Sequence, residues 1–308
     1  MAIDRPDPAS ALTLPEPSVV PQSTAAAGAR LSRRERYKEL ARALMRSKTF
    51  VVGAAILLFW IVDAIVWRWV VPHQPDATDV IATLKGPSTA HWFGTDALGR
   101  DVFSRVLAGA QSVLTIAPLA TALGIAGGVI VGLVTGYYRG IVDNVIMRVV
   151  DGMLAFPLII IAVLVLAVAG SSTANVVFVI AIVFTPLVAR TVRSAVLVER
   201  EREYVAAAKL RGESGPYIMG AEILPNITGP IAVEATVRLG YAIFTSATLS
   251  FLGLGLRPPS PDWGLAVADG RAYLQIASWI VLFPALALAT LVVAVNLVAD
   301  GLKQVVEE

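Results

Sequence analysis

The sequence has no cysteine, only two histidines, and few charges for its length. Lack of cysteine excludes disulfides, thiol chemistry and Cys-ligated metal sites, and leaves the compartment unreadable from redox usage. His73 and His91 lie in no H-E-x-x-H pattern, so no metal site is expected. Ser171, Ser172 and Ser250 have no evident base beside them, and no catalytic residue is assigned. A G-x-x-x-x-G-K-[ST] stretch is also missing, so the chain has no phosphate-cradling loop of its own. Charged residues make up 16% and the formal net charge is +2, too small to imply a nucleic-acid partner. Apolar residues are what the chain has instead: 56% of it is hydrophobic and its mean hydropathy is +0.71. That composition is that of a membrane protein.

Residues 1–29 are rich in Pro, Ala, Ser and Thr without apolar periodicity and read as a disordered N-terminal tail. Residues 30–48 turn basic, from Arg30 through Arg33, Arg34, Arg36, Lys38, Arg42 and Arg46 to Lys48. With Leu31, Leu40, Leu44 and Met45 they read as an amphipathic segment on the cytoplasmic membrane face. A signal peptide is disfavoured, because the next apolar run is too long and no small-residue cleavage site follows. A helix needs about 20 apolar residues to cross a bilayer. Segments at about 50–71, 111–135, 146–169, 176–198, 228–253 and 279–299 qualify, giving a six-span domain over 49–308. Pro157, Pro186 and Pro284 are expected kinks.

Lysine and arginine set the orientation. One side would hold Arg68, Lys85, Arg100, Arg105, Arg257 and Arg271, and the other a clear majority of the rest. Both termini are therefore expected in the cytoplasm. Residues 72–110 and 254–278 then form long extracytoplasmic loops, and such loops are functional or disordered.

The polar interruption at 203–226 reads as two short helices broken at Gly212 and at Gly215-Pro216, with Tyr217, Ile218, Ala221 and Leu224 as an apolar stripe. Pro225 ends it. The shape suits docking against another protein, but on shape alone an ordinary connector between spans is the plainer reading. In the first long loop, Gly94-Thr95-Asp96 and Gly99-Arg100-Asp101 look like a turn followed by a helix start, with Arg100 able to reach either aspartate. A self-satisfied polar turn is the plain reading. Within the fifth span, Glu234 and Arg238 stand at i, i+4 and can neutralise one another. An ATP-independent channel or secondary carrier should instead show a chain of intramembrane carboxylates or an inverted repeat. Neither is present, so that alternative lacks its signature.

Wording adds to pattern. Ala207, Ala208, Gly212, Ile223, Leu224 and Pro225 resemble the EAA loop of ABC importer permeases, with Ala206 in place of the glutamate that names it. FGTD-x-x-GRD-x-x-SR from Phe93, GYYRG-x-x-D from Gly136, ATLSFLGLGLRPPSPDWG from Ala247 and NLVADGLK from Asn296 resemble the C-type permeases of dipeptide, oligopeptide and nickel ABC importers. This resemblance covers residues 50–306. It implies an all-α type I importer permease with six transmembrane helices, embedded in lipid of a bacterial cytoplasmic membrane. The implied partners are a B-type permease, two cytoplasmic ATP-binding subunits and an extracytoplasmic substrate-binding protein. ATP and magnesium would belong to the ATPases, with no cofactor in this chain. The implied ATPase-docking loop, about 199–226, includes Glu203, Glu213, Ser214, Gly215, Pro216 and Tyr217 beside the matched positions. Gly94, Thr95, Asp96, Gly99, Arg100, Asp101, Pro258, Pro259 and Trp263 become candidates for the outer gate or the binding-protein contact. Peptide is the expected cargo, with a nickel chelate or glutathione as alternatives.

Overall fold

The computed structural model describes residue 42 and residues 44–307. The expected disordered tail, and most of the basic segment, lie outside the described residues. Nine helices organise the rest: α1 (Lys48–Val70), α2 (Val102–Tyr138), α3 (Gly140–Leu154), α4 (Leu158–Ala169), α5 (Thr173–Glu199), α6 (Glu203–Leu210), α7 (Thr228–Phe251), α8 (Trp263–Gly270) and α9 (Trp279–Glu307). Short 3-10 and π turns join them. Among the described residues there is no strand, only a single antiparallel bridge between Thr95 and Asp101.

Four helices, α1, α2, α5 and α9, are long and apolar enough to cross a membrane, and α3 with α4 makes a fifth if that bent pair is one span. The sixth expected segment is α7, continuous over 24 residues and so about 36 Å long. Its Thr and Ser residues and its charged pair make it less apolar than the others. Proline acts unequally. Pro157 caps the start of α4, and the chain turns by 88° between α3 and α4, so the expected span at 146–169 is not straight. Pro118, Pro186 and Pro284 lie inside continuous helices, where neighbouring helices absorb the lost backbone bond.

The centre of the bundle is the seam between α2 and α5. Gly124, Gly128, Gly132 and Gly136 recur every fourth residue, so they stand in one row along α2. Opposite them on α5 stand Phe184, Val188, Val192 and Val196, also every fourth residue. A Cβ on Gly132 would fall 2.6 Å from that of Val192, and one on Gly136 2.7 Å from that of Val196. Only glycine lets the helices meet there. In lipid, where apolar burial gains little, such close packing is what joins helices. Val188, Val192 and Val196 are at most 1% exposed.

Other helices dress this pair. Arg193 of α5 holds Asp143 of α3 through two 2.6 Å bonds, and Arg190 reaches Asp151 at 2.6 Å. α1 lies against α9, where Gly53 abuts Leu297 and Trp60 Nε1 donates to Thr290 Oγ1 at 3.2 Å. Only Gly53, Trp60 and Asp63 of α1 are buried, and Leu58, Phe59, Ile65 and Trp69 point outward as lipid-facing groups would.

Replacing Gly132 with Leu should force the seam apart and cost about 1–3 kcal/mol or more, read as a lower unfolding midpoint in detergent. Gly152→Ala, where a Cβ meets nothing within 4 Å, should leave the midpoint unchanged or slightly raised.

Candidate functional site

Two polar assemblies sit at opposite ends of α2, a 37-residue helix about 55 Å long. At its C-terminal end lies the helix–turn–helix of 203–226. α6 ends at Leu210 with Arg211 as its C-cap, and Gly212 turns the chain at φ +78°, a conformation costly for residues with a Cβ. Residues 215–217 make one α turn, Ile218–Ile223 a π turn and Leu224–Asn226 a 3-10 turn.

That π turn corrects the expected stripe. With five residues between equivalent positions, Ile218 and Ile223 share the buried face, while Tyr217 and Ala221 are exposed. Ile218, Ile223 and Ile227 join Val205 and Ala208 of α6 in a cluster with Val188, Val192 and Val196. The loop is thus seated on the end of the glycine seam. Gly215 also abuts Tyr137 and Tyr138, the last residues of α2. Arg200 donates to the Gly136 and Tyr137 carbonyls, closing the end of that helix.

A polar brace holds the two limbs. Tyr204 donates to Glu199 Oε1 at 2.7 Å, and Asn226 Nδ2 donates to the Glu222 carbonyl at 2.7 Å and to Tyr204 Oη at 3.2 Å. Burial, aided by the Glu199 carboxylate, pushes the Tyr204 phenol up to about 12, so it keeps its proton. Of the expected docking residues, Glu203, Ala207, Gly212, Ser214, Pro216, Tyr217 and Pro225 are exposed. Ala208 and Ile223 are buried, and Glu213, Gly215 and Leu224 are half-buried. Close approach within this chain does not explain Gly212, since a Cβ there meets nothing within 4 Å. Leu210 is 90% exposed, an apolar side chain standing on a polar elbow.

At the N-terminal end of α2 the two long loops lock together. Asp96 Oδ1 accepts from the Leu98 and Arg100 amides at 2.8 and 2.9 Å, and its Oδ2 takes Arg100 Nε at 2.6 Å. Arg100 therefore pairs with Asp96 and leaves Asp101 to cap α2 through the Ser104 amide, 2.8 Å away. Gly94 and Gly99 turn the chain at φ +73° and +71°. Thr95 is fully buried; its Oγ1 donates to the Ala82 carbonyl, and its own carbonyl accepts from Trp279 Nε1 at 3.0 Å.

Arg105 staples this loop to the next one. It reaches the Pro75 carbonyl at 3.1 Å, Asp76 at 3.1 Å, the Pro259 carbonyl at 3.3 Å and the Ser260 carbonyl at 2.8 Å. Pro258 and Pro259, joined by a cis peptide, are exposed, whereas Trp263 is fully buried. Trp263 donates to the Val106 carbonyl at 2.8 Å and packs edge-on against Trp60. Its neighbour Asp262 caps α8 by accepting from the Leu265 amide; burial pushes that carboxyl up, against the pull of the bond. Most of the expected gate residues therefore form an internal lock. The surface around it is apolar instead, with Val80, Ile81, Trp92 and Leu98 exposed.

Glu234 and Arg238 are paired as their spacing implies, Arg238 Nη2 lying 2.6 Å from Glu234 Oε1. The guanidinium also sits near Phe184 and Tyr241 and lines a cavity of about 410 Å³ with residues of α4, α5 and α7. Sequence reasoning missed Arg105 as a staple and the convergence of the two histidines on Asp101, Nδ1 of His91 being 2.9 Å from Asp101 Oδ1. Their signal was scarcity: the chain has no third histidine.

A bundle of long apolar helices that carries one polar helix–turn–helix is the architecture of an integral-membrane transport subunit. A structure of the MetNI methionine ABC transporter in an inward-facing conformation has the same fold, with a TM-score of 0.54, 18% identity, and coverage of 65% of this chain and 96% of that one. Residues 128–308 match the family described as binding-protein-dependent transport system inner membrane component, and residues 36–87 match the N-terminal TM domain of oligopeptide transport permease C. The chain belongs to this family of binding-protein-dependent inner-membrane transport components, and is a multi-pass membrane protein of an ABC importer. It is 41% identical to a Brucella suis protein named as a peptide transport system permease, over 87% of this chain and 90% of that one. It is 39% identical to the dipeptide transport permease DppC of Alkalihalophilus pseudofirmus, covering 88% and 89%. To the glutathione transport permease GsiD of Escherichia coli it is 41% identical, covering 88% and 90%.

Arg105→Gln should break the staple between the two long loops at a cost of about 1.5–3 kcal/mol, the range for hydrogen bonds to a charged group. Hydrogen exchange at residues 72–101 and 252–262 should then rise together, and protection lost in one loop alone would mean that they are not joined through this side chain.

Proposed function

We propose that the chain is the C-type transmembrane subunit of an ATP-driven importer of di- and oligopeptides. Its relatives' names support the cargo, and the glutathione permease among them fits the same class, glutathione being a tripeptide. In this reading both termini face the cytoplasm, in line with the lysine and arginine asymmetry, and the membrane is the bacterial inner membrane. A B-type permease completes the pathway, two cytoplasmic ATPases bind ATP and magnesium, and an extracytoplasmic binding protein delivers the peptide.

One observation carries the coupling role. The helix–turn–helix of 203–226 buries Val205, Ala208, Ile218 and Ile223 against the α2–α5 seam and turns Ala207, Leu210, Gly212, Pro216 and Tyr217 outward. An exposed leucine, with Ala207 three residues before it and Gly212 two after, suits a groove on a partner better than it suits water. Gly212 then serves two ends: it allows the positive φ and keeps the elbow slim where an ATPase would approach. Movement of the ATPases on ATP binding is passed to the seam and alternates access between the faces of the membrane. Arg238, which lines the cavity beside α7, and its partner Glu234 fit a role along the pathway better than exposure to lipid.

Leu210→Asp tests this in the reconstituted transporter with all its partner subunits. Because Leu210 touches little of its own chain, the unfolding midpoint should hold. Peptide-stimulated ATP hydrolysis and uptake should fall about tenfold, as for an interface anchor worth ~1.4 kcal/mol or more. Full coupling in this variant would remove the elbow from the docking surface.

A further inference from the structure

We propose that His73, His91 and Asp101 form a binding site for one divalent first-row transition ion of the zinc type. The inference is independent of the cargo and of the coupling loop, which sits at the far end of α2.

The chain's two histidines are 18 positions apart in sequence, yet both imidazoles face one carboxylate oxygen. His91 Nδ1 lies 2.9 Å and His73 Nδ1 3.8 Å from Asp101 Oδ1. The candidate donor atoms of the three residues all lie within 4.8 Å of one another, and the two rings have centroids 4.8 Å apart. Zinc bonds to imidazole nitrogen or carboxylate oxygen of about 2.0–2.1 Å in a tetrahedral shell put donors about 3.3 Å apart. The observed 2.9 and 3.8 Å bracket that spacing. The remaining pair, the two imidazole nitrogens, lies within 4.8 Å, and rotation of the half-exposed His73 side chain would close the shell.

Charge sorting in the loop points the same way. Asp96 is held by Arg100, and Asp76 by Arg105. The Asp101 side chain is 1% exposed and, among the described residues, its ion pairs are with the two histidines and not with lysine or arginine. A buried carboxylate needs compensation. The α2 N-terminus supplies part of it, but through the other oxygen: Asp101 Oδ2 accepts from the Ser104 amide at 2.8 Å and from Ser104 Oγ at 2.7 Å. Oδ1 is left to the imidazoles, which are uncharged unless protonated. A cation held between them supplies the missing charge. Ser104 meanwhile fixes the carboxylate from behind, as supporting groups do at metal sites.

The exchange of protons balances. In the neutral form the His91 proton sits on Nδ1 and points at Asp101. On binding it moves to Nε2, which frees the Nδ1 lone pair for the metal, while Asp101 Oδ1 becomes a ligand in place of a hydrogen-bond acceptor. Two imidazoles and one carboxylate suit zinc, and also nickel or copper, better than magnesium or calcium. Three protein ligands leave a fourth position open to water or to a group from outside. His73 is half-exposed, so the site has access to solvent. Its effect would be local: the ion ties the end of α1, the tip of the loop and the start of α2 into one point.

The test uses the full chain, free of any histidine tag, purified with its partner subunits and stripped with a chelator. Zinc is titrated by calorimetry, and cobalt is followed by its visible absorption. One saturable site per chain is expected, together with a higher unfolding midpoint. His73→Gln, at a half-exposed position that folding tolerates, and His91→Gln should each abolish that site. Ser104→Ala, which keeps all three ligands, should weaken it about tenfold. No saturable site in the wild type, or wild-type affinity retained in either histidine variant, would overturn the proposal.

Discussion

The bundle depends on one close approach, the row of glycines on α2 against the row of valines on α5. Water drives soluble helices together, but lipid is as apolar as leucine, so here the gain must come from packing. Repeats of four residues on both helices keep the two rows aligned over a little more than three turns, from Gly124 to Gly136 and from Phe184 to Val196. Dispersion is weak per atom pair and grows only when surfaces fit closely. That explains why the residues are glycine and a β-branched side chain with few rotamers, a smooth groove against a stiff ridge.

Both candidate sites inherit their geometry from this seam. At one end Val188, Val192 and Val196 continue directly into Val205, Ala208, Ile218 and Ile223, so the elbow is an extension of the core. At the other end α2 begins in the lock of Asp96, Arg100, Asp101 and Arg105, whose carbonyl partners come from two loops far apart in sequence. Arginine suits that second task, since its planar fork can meet several carbonyls at once.

Much of this was legible in the sequence, and the exceptions have physical reasons. Apolar run lengths located the membrane helices because about 20 residues is a hard requirement of bilayer thickness. The elbow's place, its break at Gly212 and the Glu234–Arg238 pair followed from glycine, proline and the i, i+4 rule. Helical period failed at Ile218–Ile223, where a π turn replaces the 3.6-residue repeat and no local residue announces it. Three prolines inside apolar runs look alike on the page. Only Pro157 breaks its helix, since whether a lost backbone bond is absorbed depends on the neighbours. The glycine row was not legible, since its four-residue spacing acquires meaning only from its partner row, and pairing of distant segments is a tertiary fact. Arg105 shows the same limit: one arginine among several, until the fold brings four oxygens to it.

Where the bundle yields follows from the same packing. In the proposed mechanism, force enters at the elbow and reaches Val192 and Val196 through Ile218 and Ile223. The seam cannot compress there, since backbone already meets side chain with no Cβ between, and packed interiors pass strain on. Sliding is no easier, because shifting α5 along α2 would move the valines off the glycines and toward larger neighbours such as Ile125, Val129 and Leu133. α2 and α5 therefore move as one rigid pair, and α3 follows, tied to α5 by Arg193–Asp143 and Arg190–Asp151. The 88° turn between α3 and α4 is different: Pro157 has already released its backbone bonds, and no ion pair crosses it among the described residues. Motion of the pair is best taken up at that turn, beside the cavity where Arg238 sits. In that mechanism the elbow, the stiff double helix and a hinge beside this cavity would supply the parts that alternating access requires.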